Sequence, residues 1–400
     1  AAYSLRSRKR GNFYWVGISL CSLALLVDNI QAQQKVIWKG SVEVENGVKV
    51  VKNPSEPAYS RINLELQEEL SIGYQDIEEY SFSLISDVKA DHLGNIYVAD
   101  TRNLRVQKFD RNGNFINTLG KGVVQFQQPS RIKIDRQSGY IFVRASVRDL
   151  EIFDNNDQHK GGIHPKEGPV QSFEPIDESH VMAVLGRSYY DKNPRVMRSI
   201  FRLNSNGEMR GLSQEYFGYA LVSIGEAWTA ESTDYDADLY LSKIDENSLV
   251  YGYSKDYELN VIDREGKVLY RIKKPGPVPV YTSEERKIIG RYSSPELKPY
   301  FFRILTDSEG RIYVQRNITK GVPNAVQENT NREIEIFSRN GHFLYTSVIP
   351  PNTCEIKDGL LYAYAADEMS GLESVKRYRI MNWEKIRVGI EVRAAEHAQE

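Results

Sequence analysis

The sequence predicts an all-β ring: a six-bladed β-propeller built from four-stranded antiparallel blades, with one short helix inserted between two of them. Three observations carry that expectation. A turn–strand–loop–strand unit recurs along the chain, it recurs at a propeller-like period, and the composition is rich in strand-forming tyrosine. There are 25 tyrosines in 400 residues, a side chain that suits a half-buried strand with its polar tip in water. Length alone would allow two or three domains, but one closed ring can absorb it.

The unit is clearest in "ADHLGNIYVADTRNLRVQKFDRNGNFINTLG" (90–120). A turn at Asp91–Gly94 leads into an apolar strand, Ile96–Ala99. A polar loop, Asp100–Asn103, precedes a second strand, Arg105–Asp110. Asn112-Gly113 then turns the chain into a third, Phe115–Leu119. Glycine and asparagine at these corners supply the positive φ that tight turns require. Related copies occupy 135–154, 177–212, 247–272, 307–348 and 357–382. Short strands ahead of the turns, such as "SRIKID" (130–135) and "FFRILTD" (301–307), bring each unit to four strands. Aligning Tyr97, Phe142, Met182, Tyr251, Tyr313 and Tyr362 gives spacings of 45, 40, 69, 62 and 49 residues. Four strands per copy at such a period is the mark of a propeller.

Two long gaps need explaining. Residues 225–245 are either a seventh, degenerate blade or an insertion in the fourth. In the other gap Thr282 and Glu285 form a capping box, predicting a helix over 283–292 that ends before Pro295. The last copy lacks a fourth strand, and "RINLELQEELSIG" (61–73) reads as the missing one, with "KIRVGIEV" (385–392) as competitor. Filling that slot from the other end of the chain closes the ring and covers two edges.

The strings "GNIYVADTRNLRVQKFDRNGNF" and "GRIYVQRN…IEIFSRNGHF" resemble NHL repeats of six-bladed propellers in the TolB-like superfamily. The lead-in (45–73) resembles that of secreted bacterial six-bladed propellers. The resemblance covers about 83–382 and implies the fold strongly. It constrains activity weakly, since its members include scaffolds, ligand sensors, lactonases and lyases. It also implies that Asp100, Asn103 and Arg105 tie neighbouring parts of the ring together rather than react.

The first 32 residues read as a signal peptide. Arg6, Arg8, Lys9 and Arg10 precede a 15-residue apolar run, Phe13–Val27, and Ala32 offers a cleavage point. The run is shorter than a membrane span needs, so a secreted or periplasmic protein without a span is expected. The domain plan is then 1–32 signal, 33–82 lead-in and ring-closing strand, 83–382 propeller and 383–400 tail. Removing 1–32 takes away four basic residues and one acid, which moves the net charge from −2 to −5. That balance argues against a nucleic-acid partner. One cysteine remains, Cys354, so no internal disulfide can form, and the residue reads as a small buried hydrophobe.

The six histidines of the chain do not converge on one mouth in this topology, so no tri-histidine zinc site is expected. "DYDADLYLSKID" (234–245) begins like a calcium loop but carries Leu239 where the turn needs glycine, and reads as an acidic turn before a strand. No metal ligand set or cofactor motif is assigned. Arginines give the candidate site. Arg144, Arg187 and Arg316 each end the second strand of a blade, and Arg102 occupies the matching loop of the first. Four guanidiniums there could converge on an anionic ligand, a glycan or a protein partner, or each could pair with a local acid. The function expected is therefore a secreted binding module with its ligand at the channel mouth. The alternative is a metal-dependent propeller enzyme: a lactonase, hydrolase or lyase.

Overall fold

The computed structural model describes residues 36–73, 77–224, 227–230, 236–281, 283, 298–316, 331–367, 369–386 and 390–392. Six antiparallel sheets follow one another along the chain. Their innermost strands are Ile85–Ala90, Ile132–Ile134, Val170–Pro175, Leu239–Asp245, Phe301–Thr306 and Thr353–Lys357, which define blades 1 to 6. Each inner strand touches those of its two neighbours, and blade 6 touches blade 1, so the ring closes. The architecture is a six-bladed β-propeller. Among the described residues there is no seventh blade: Ala227–Ala230 pairs with Tyr216–Ile224 and widens blade 3, and Leu239–Asp245 is the inner strand of blade 4. The helix expected over 283–292 and the signal segment 1–32 lie outside the described residues, apart from Ser283.

Hairpin corners repeat one device. Asp91, Asp110, Asp154, Asp263 and Asp307 each accept the backbone N–H groups two and four residues on, at 2.8–2.9 Å apart from one 3.0 Å bond. The carboxylate satisfies donors that the tight turn leaves without a ladder partner. The residue three after the acid takes positive φ, as in Gly94 (φ 85°) and Gly113 (φ 86°). Asp157 fills that position in blade 2 at φ 63°. Its side chain instead reaches back to Lys108 of blade 1 at 2.7 Å.

The core is distributed as apolar layers between adjacent blades rather than as one centre. Tyr97, Phe142, Met182, Tyr313 and Tyr362 each pack toward the following blade, as their alignment predicts. Tyr251 does not. A tighter turn, Asp245–Ser248, shifts the register, and Val250 takes the forward-facing place against blade 5 while Tyr251 faces back to blade 3. A one-residue slip in a strand exchanges its faces.

Leu66–Gly73 pairs antiparallel with Glu373–Ile380 as the outer strand of blade 6, so the two ends of the chain share one blade. The rest of the lead-in sheathes half of the ring. Val48–Lys52 adds parallel to the outer strand of blade 4, and Ser41–Glu45 folds back on it. The buried Asn53 then accepts from the Phe343 amide at 2.7 Å and donates to the Gly341 carbonyl at 2.8 Å. It also accepts the indole N–H of Trp38 at 3.1 Å. Ala58, Tyr59 and Ile62 donate to carbonyls of blade 5. Of the competing segment near the C-terminus, the described Ile390–Val392 pairs parallel with Val36–Trp38 rather than with a blade.

Candidate functional site: the upper end of the channel

First strands of all six blades wall the central channel, and their alternation sends every second side chain into it. In blade 1 these are Asp87 and Lys89, in blade 2 Arg131 and Lys133, in blade 5 Arg303 and Leu305. We call upper the end where the first strands begin and where second strands loop into third strands.

The upper end holds a cavity of about 400 Å³. Among the described residues five cationic side chains line it (Lys89, Arg131, Lys133, Arg303 and Arg332) against one carboxylate, Asp87. Tyr240, Phe302 and Tyr364 supply aromatic wall. Several of these charges are already committed. Asp87 lies 3.3 Å from Lys89 and accepts the Ile132 amide at 3.0 Å. Burial opposes ionisation of Asp87, but Lys89, that amide, Lys133 and Arg131 outweigh it and hold its pKa below the ordinary value. Lys89 also donates to the Cys354 carbonyl at 2.5 Å, and Lys133 pairs with Glu174 at 2.5 Å. Among the described residues Arg131 spends only its Nε on a protein group, the Gln171 carbonyl at 3.1 Å. Arg303 makes no hydrogen bond or ion pair among the described residues, though it is half-buried. Its charge is felt by Lys89, Cys354 and Tyr364, which places it among them.

The lower end is tied shut. Lys243 of blade 4 reaches Asp135 of blade 2 at 2.8 Å, and Arg136 of blade 2 donates to the Asp307 carbonyl of blade 5 at 3.2 Å. Glu355 of blade 6 accepts the Ala90 amide of blade 1 at 2.8 Å. Only about 70 Å³ is left there. Cys354 lies on the wall shared by both ends, and burial, with Asp87 nearby, pushes its thiol up to about 11.

The four arginines singled out from the sequence do not meet. Arg144 donates to the Ser130 hydroxyl at 2.7 Å and to the carbonyls of Val170 and Gln171 at 2.8 and 3.2 Å, joining blade 2 to blade 3. Burial, with Arg131 beside it, lowers its pKa to about 10. Arg316 pairs with Glu335 at 2.5 Å and lies 5.4 Å over the Tyr257 ring of blade 4. Arg187 is exposed and pairs with Glu167 and Glu215. Arg102 is exposed on the rim, within electrostatic reach of Glu373. None is on the cavity wall. Second strands stand one layer out from the channel, so their ends meet neighbouring blades before they meet the axis. The neighbour of Arg316, Gln315, points the other way and does line the cavity.

Asp100, Asn103 and Arg105 do serve the ring. Asp100 accepts Asn103 at 2.8 Å, Arg105 at 2.9 Å and the Ser83 amide at 2.8 Å. Arg105 also holds the carbonyls of Glu78 and Ser81, both at 2.8 Å. The segment running from blade 6 into blade 1 is fixed by these contacts. The histidines stay apart: His159 pairs with Glu151, His164 with Asp149 and His180 with Asp177, while His342 stacks edge-on to Trp38 at 4.7 Å. Among the described residues no group of three His, Cys, Asp or Glu side chains is placed to hold a metal. Likewise no described helix is long and apolar enough to cross a membrane.

Residues 82–109 match the NHL repeat, the stretch that forms the first three strands of blade 1. No curated protein matches the chain. Solved structures similar to it include a DUF4221 family member from Bacteroides vulgatus, at 10% identity over 79% of this chain and 98% of that one, with a TM-score of 0.47. A Bacteroides fragilis protein described as exported is similar at 10% identity over 83% and 99%, with a TM-score of 0.48. The Cps50 (Swd1) β-propeller domain from Myceliophthora thermophila is similar at 12% identity over 79% and 99%, with a TM-score of 0.41.

Proposed function

We propose that this protein is an exported β-propeller binding module that takes an anionic group into the upper end of its channel. One observation carries the reading. Arg303 stands in a concave site without a protein partner among the described residues, and cations outnumber carboxylates five to one on that wall. A guanidinium left half-buried and unpaired is costly unless something else pairs with it, and its planar fork suits a carboxylate. The chain as a whole is acidic, so the local positive field is a property of this end of the ring. Arg102, exposed on the rim, would steer an anion inward, whereas Arg187 is taken up by Glu167 and Glu215 and Arg144 and Arg316 brace the walls. The basic-then-apolar leader supports export.

The test titrates uronic-acid oligosaccharides, acidic peptides and their neutral counterparts against wild type and Arg303→Ala at two salt concentrations. Acidic ligands should bind, neutral ones should not, and the variant should lose about tenfold or more in affinity. Higher salt should weaken binding further. Binding indifferent to ligand charge, salt and the variant would dismiss the site. Metal-dependent turnover of a lactone or ester panel would replace it with an enzymatic reading.

A further inference from the structure

The two faces of the ring differ in what they expose. Large apolar side chains stand in solvent on upper loops all around the mouth: Leu84 and Leu104 in blade 1, Val147 in blade 2, Val280 between blades 4 and 5, Met369 and Leu372 in blade 6. Met369 is 97% exposed. The lower turns offer only Leu93 and Met381 among the described residues.

Two of the upper residues are also held at a cost. Leu84 and Leu104 adopt left-handed backbone, with φ of 62° and 53°, which is disfavoured for a branched apolar side chain. Glycine or asparagine would relieve the strain at both places. Leucine held in a strained conformation and pointed at water suggests a contact made elsewhere.

We infer that the anionic group taken by the channel belongs to a protein: a segment with an acidic side chain or terminal carboxylate at its tip and apolar residues on either side. This rests on the anion-binding reading of the upper cavity. The carboxylate enters toward Arg303 and Arg131, and the flanking apolar groups cover the leucine, valine and methionine rim. A cavity of about 400 Å³ accepts a side chain or two but not a folded domain, so the partner inserts a tip and rests its shoulders on the loops. An interface of this form has a charged anchor in a desolvated pocket and an apolar surround. A bilayer fits less well. Its anionic headgroups lie in a plane and cannot reach into a concave site, and the apolar side chains are spread around the ring with charged residues such as Arg102 between them. A free sugar acid would satisfy Arg303 and leave the rim unexplained.

The experiment selects a displayed library of random peptides, with free C-termini in one arm, against the immobilised mature protein. The predicted consensus is an acidic residue or a terminal carboxylate flanked by aliphatic or aromatic residues. A synthetic peptide of that consensus should lose about tenfold in affinity on Arg303→Ala and, separately, on Met369→Asp. Neither side chain makes a hydrogen bond or ion pair among the described residues, and unchanged melting temperatures would confirm intact rings. A companion titration uses uronate oligosaccharides and phosphatidylserine vesicles. No consensus, together with uronate binding that Arg303→Ala abolishes, overturns the protein partner and leaves the anion site standing. A consensus without an acid overturns both. Vesicle binding that Met369→Asp abolishes, with no peptide selected, assigns the rim to a membrane and overturns the inference.

Discussion

The two ends of the channel are built from the same residue types and have opposite character. At the lower end Lys243 meets Asp135, Arg136 meets a carbonyl across the ring, and Glu355 caps an amide of the next blade. At the upper end Lys89 and Lys133 are paired, Arg131 is half-used, and Arg303 faces open cavity. Cations and carboxylates balance along the described lower lining and not along the upper one, and tracing each charge to its partner shows which cation is left over. Paired charges across a ring fix its geometry, whereas an unpaired cation in a concave site is a vacancy for an anion.

Breaking the lower end should have the largest effect. Lys243→Ala leaves Asp135, whose side chain is 3% exposed, with only the Ser138 contacts. The expected cost is about 3 kcal/mol in urea denaturation, with acidic-ligand affinity unchanged. Burial works against the Asp135 carboxylate, but Lys243 and Ser138 outweigh it and its pKa is lowered. A lowered folded pKa stabilises above the unfolded value and loses that contribution as pH falls through the folded one. The penalty of Lys243→Ala should therefore shrink in acid, below the ordinary aspartate value of 3.8. A penalty that stays constant into strong acid would show that the pair is not ionic.

Removing the upper cation should do the reverse. Arg303→Ala is expected to change stability by no more than about 0.5 kcal/mol while costing affinity, because no protein group among the described residues depends on it. A loss of several kcal/mol in denaturation would mean that the guanidinium is structural.

The smallest effect lies at the waist between the ends. Cys354 is buried and its thiol is raised to about 11, so little thiolate exists at pH 8. Labelling of the mature chain by a disulfide reagent should be far slower when folded than in urea, and Lys243→Ala should speed it modestly. Equal rates folded and unfolded would mean that the waist is open to solvent.

Much of the fold was legible because each turn announces itself. An aspartate, a residue with positive φ three later and an apolar strand recur wherever the carboxylate caps the corner, as at Asp91 and Asp307. The outer strand of blade 6 was legible from a deficit, since the last copy ran out of strands. The sheath on blade 4 was missed although "SVEVENGVKVVK" (41–52) carries an Asn-Gly hairpin between alternating strands. Both turn residues have positive φ, 52° and 77°, as such a hairpin requires. What no local pattern could give is its parallel docking on a strand more than two hundred residues away. The arginines singled out from the sequence lie on the upper face, at or just past the ends of second strands rather than on first strands. Arg144 and Arg316 end second strands and turn into blade interfaces. Arg131, Lys133 and Arg303 lie in "SRIKID" and "FFRIL", already recognised as first strands. Charged residues at alternate positions of an inner strand were the readable signal for the cavity wall, because inner strands supply most of its lining.

The most direct measurement is a crystal of the mature protein soaked with 4-bromobenzoate, a planar carboxylate whose bromine can be located by anomalous scattering. The predicted result is one bromine peak in the upper cavity, with the carboxylate within hydrogen-bonding distance of the Arg303 guanidinium, and loss of that peak in Arg303→Ala. An empty upper cavity, or bromine bound only at the lower end or on the outer loops, would contradict the account.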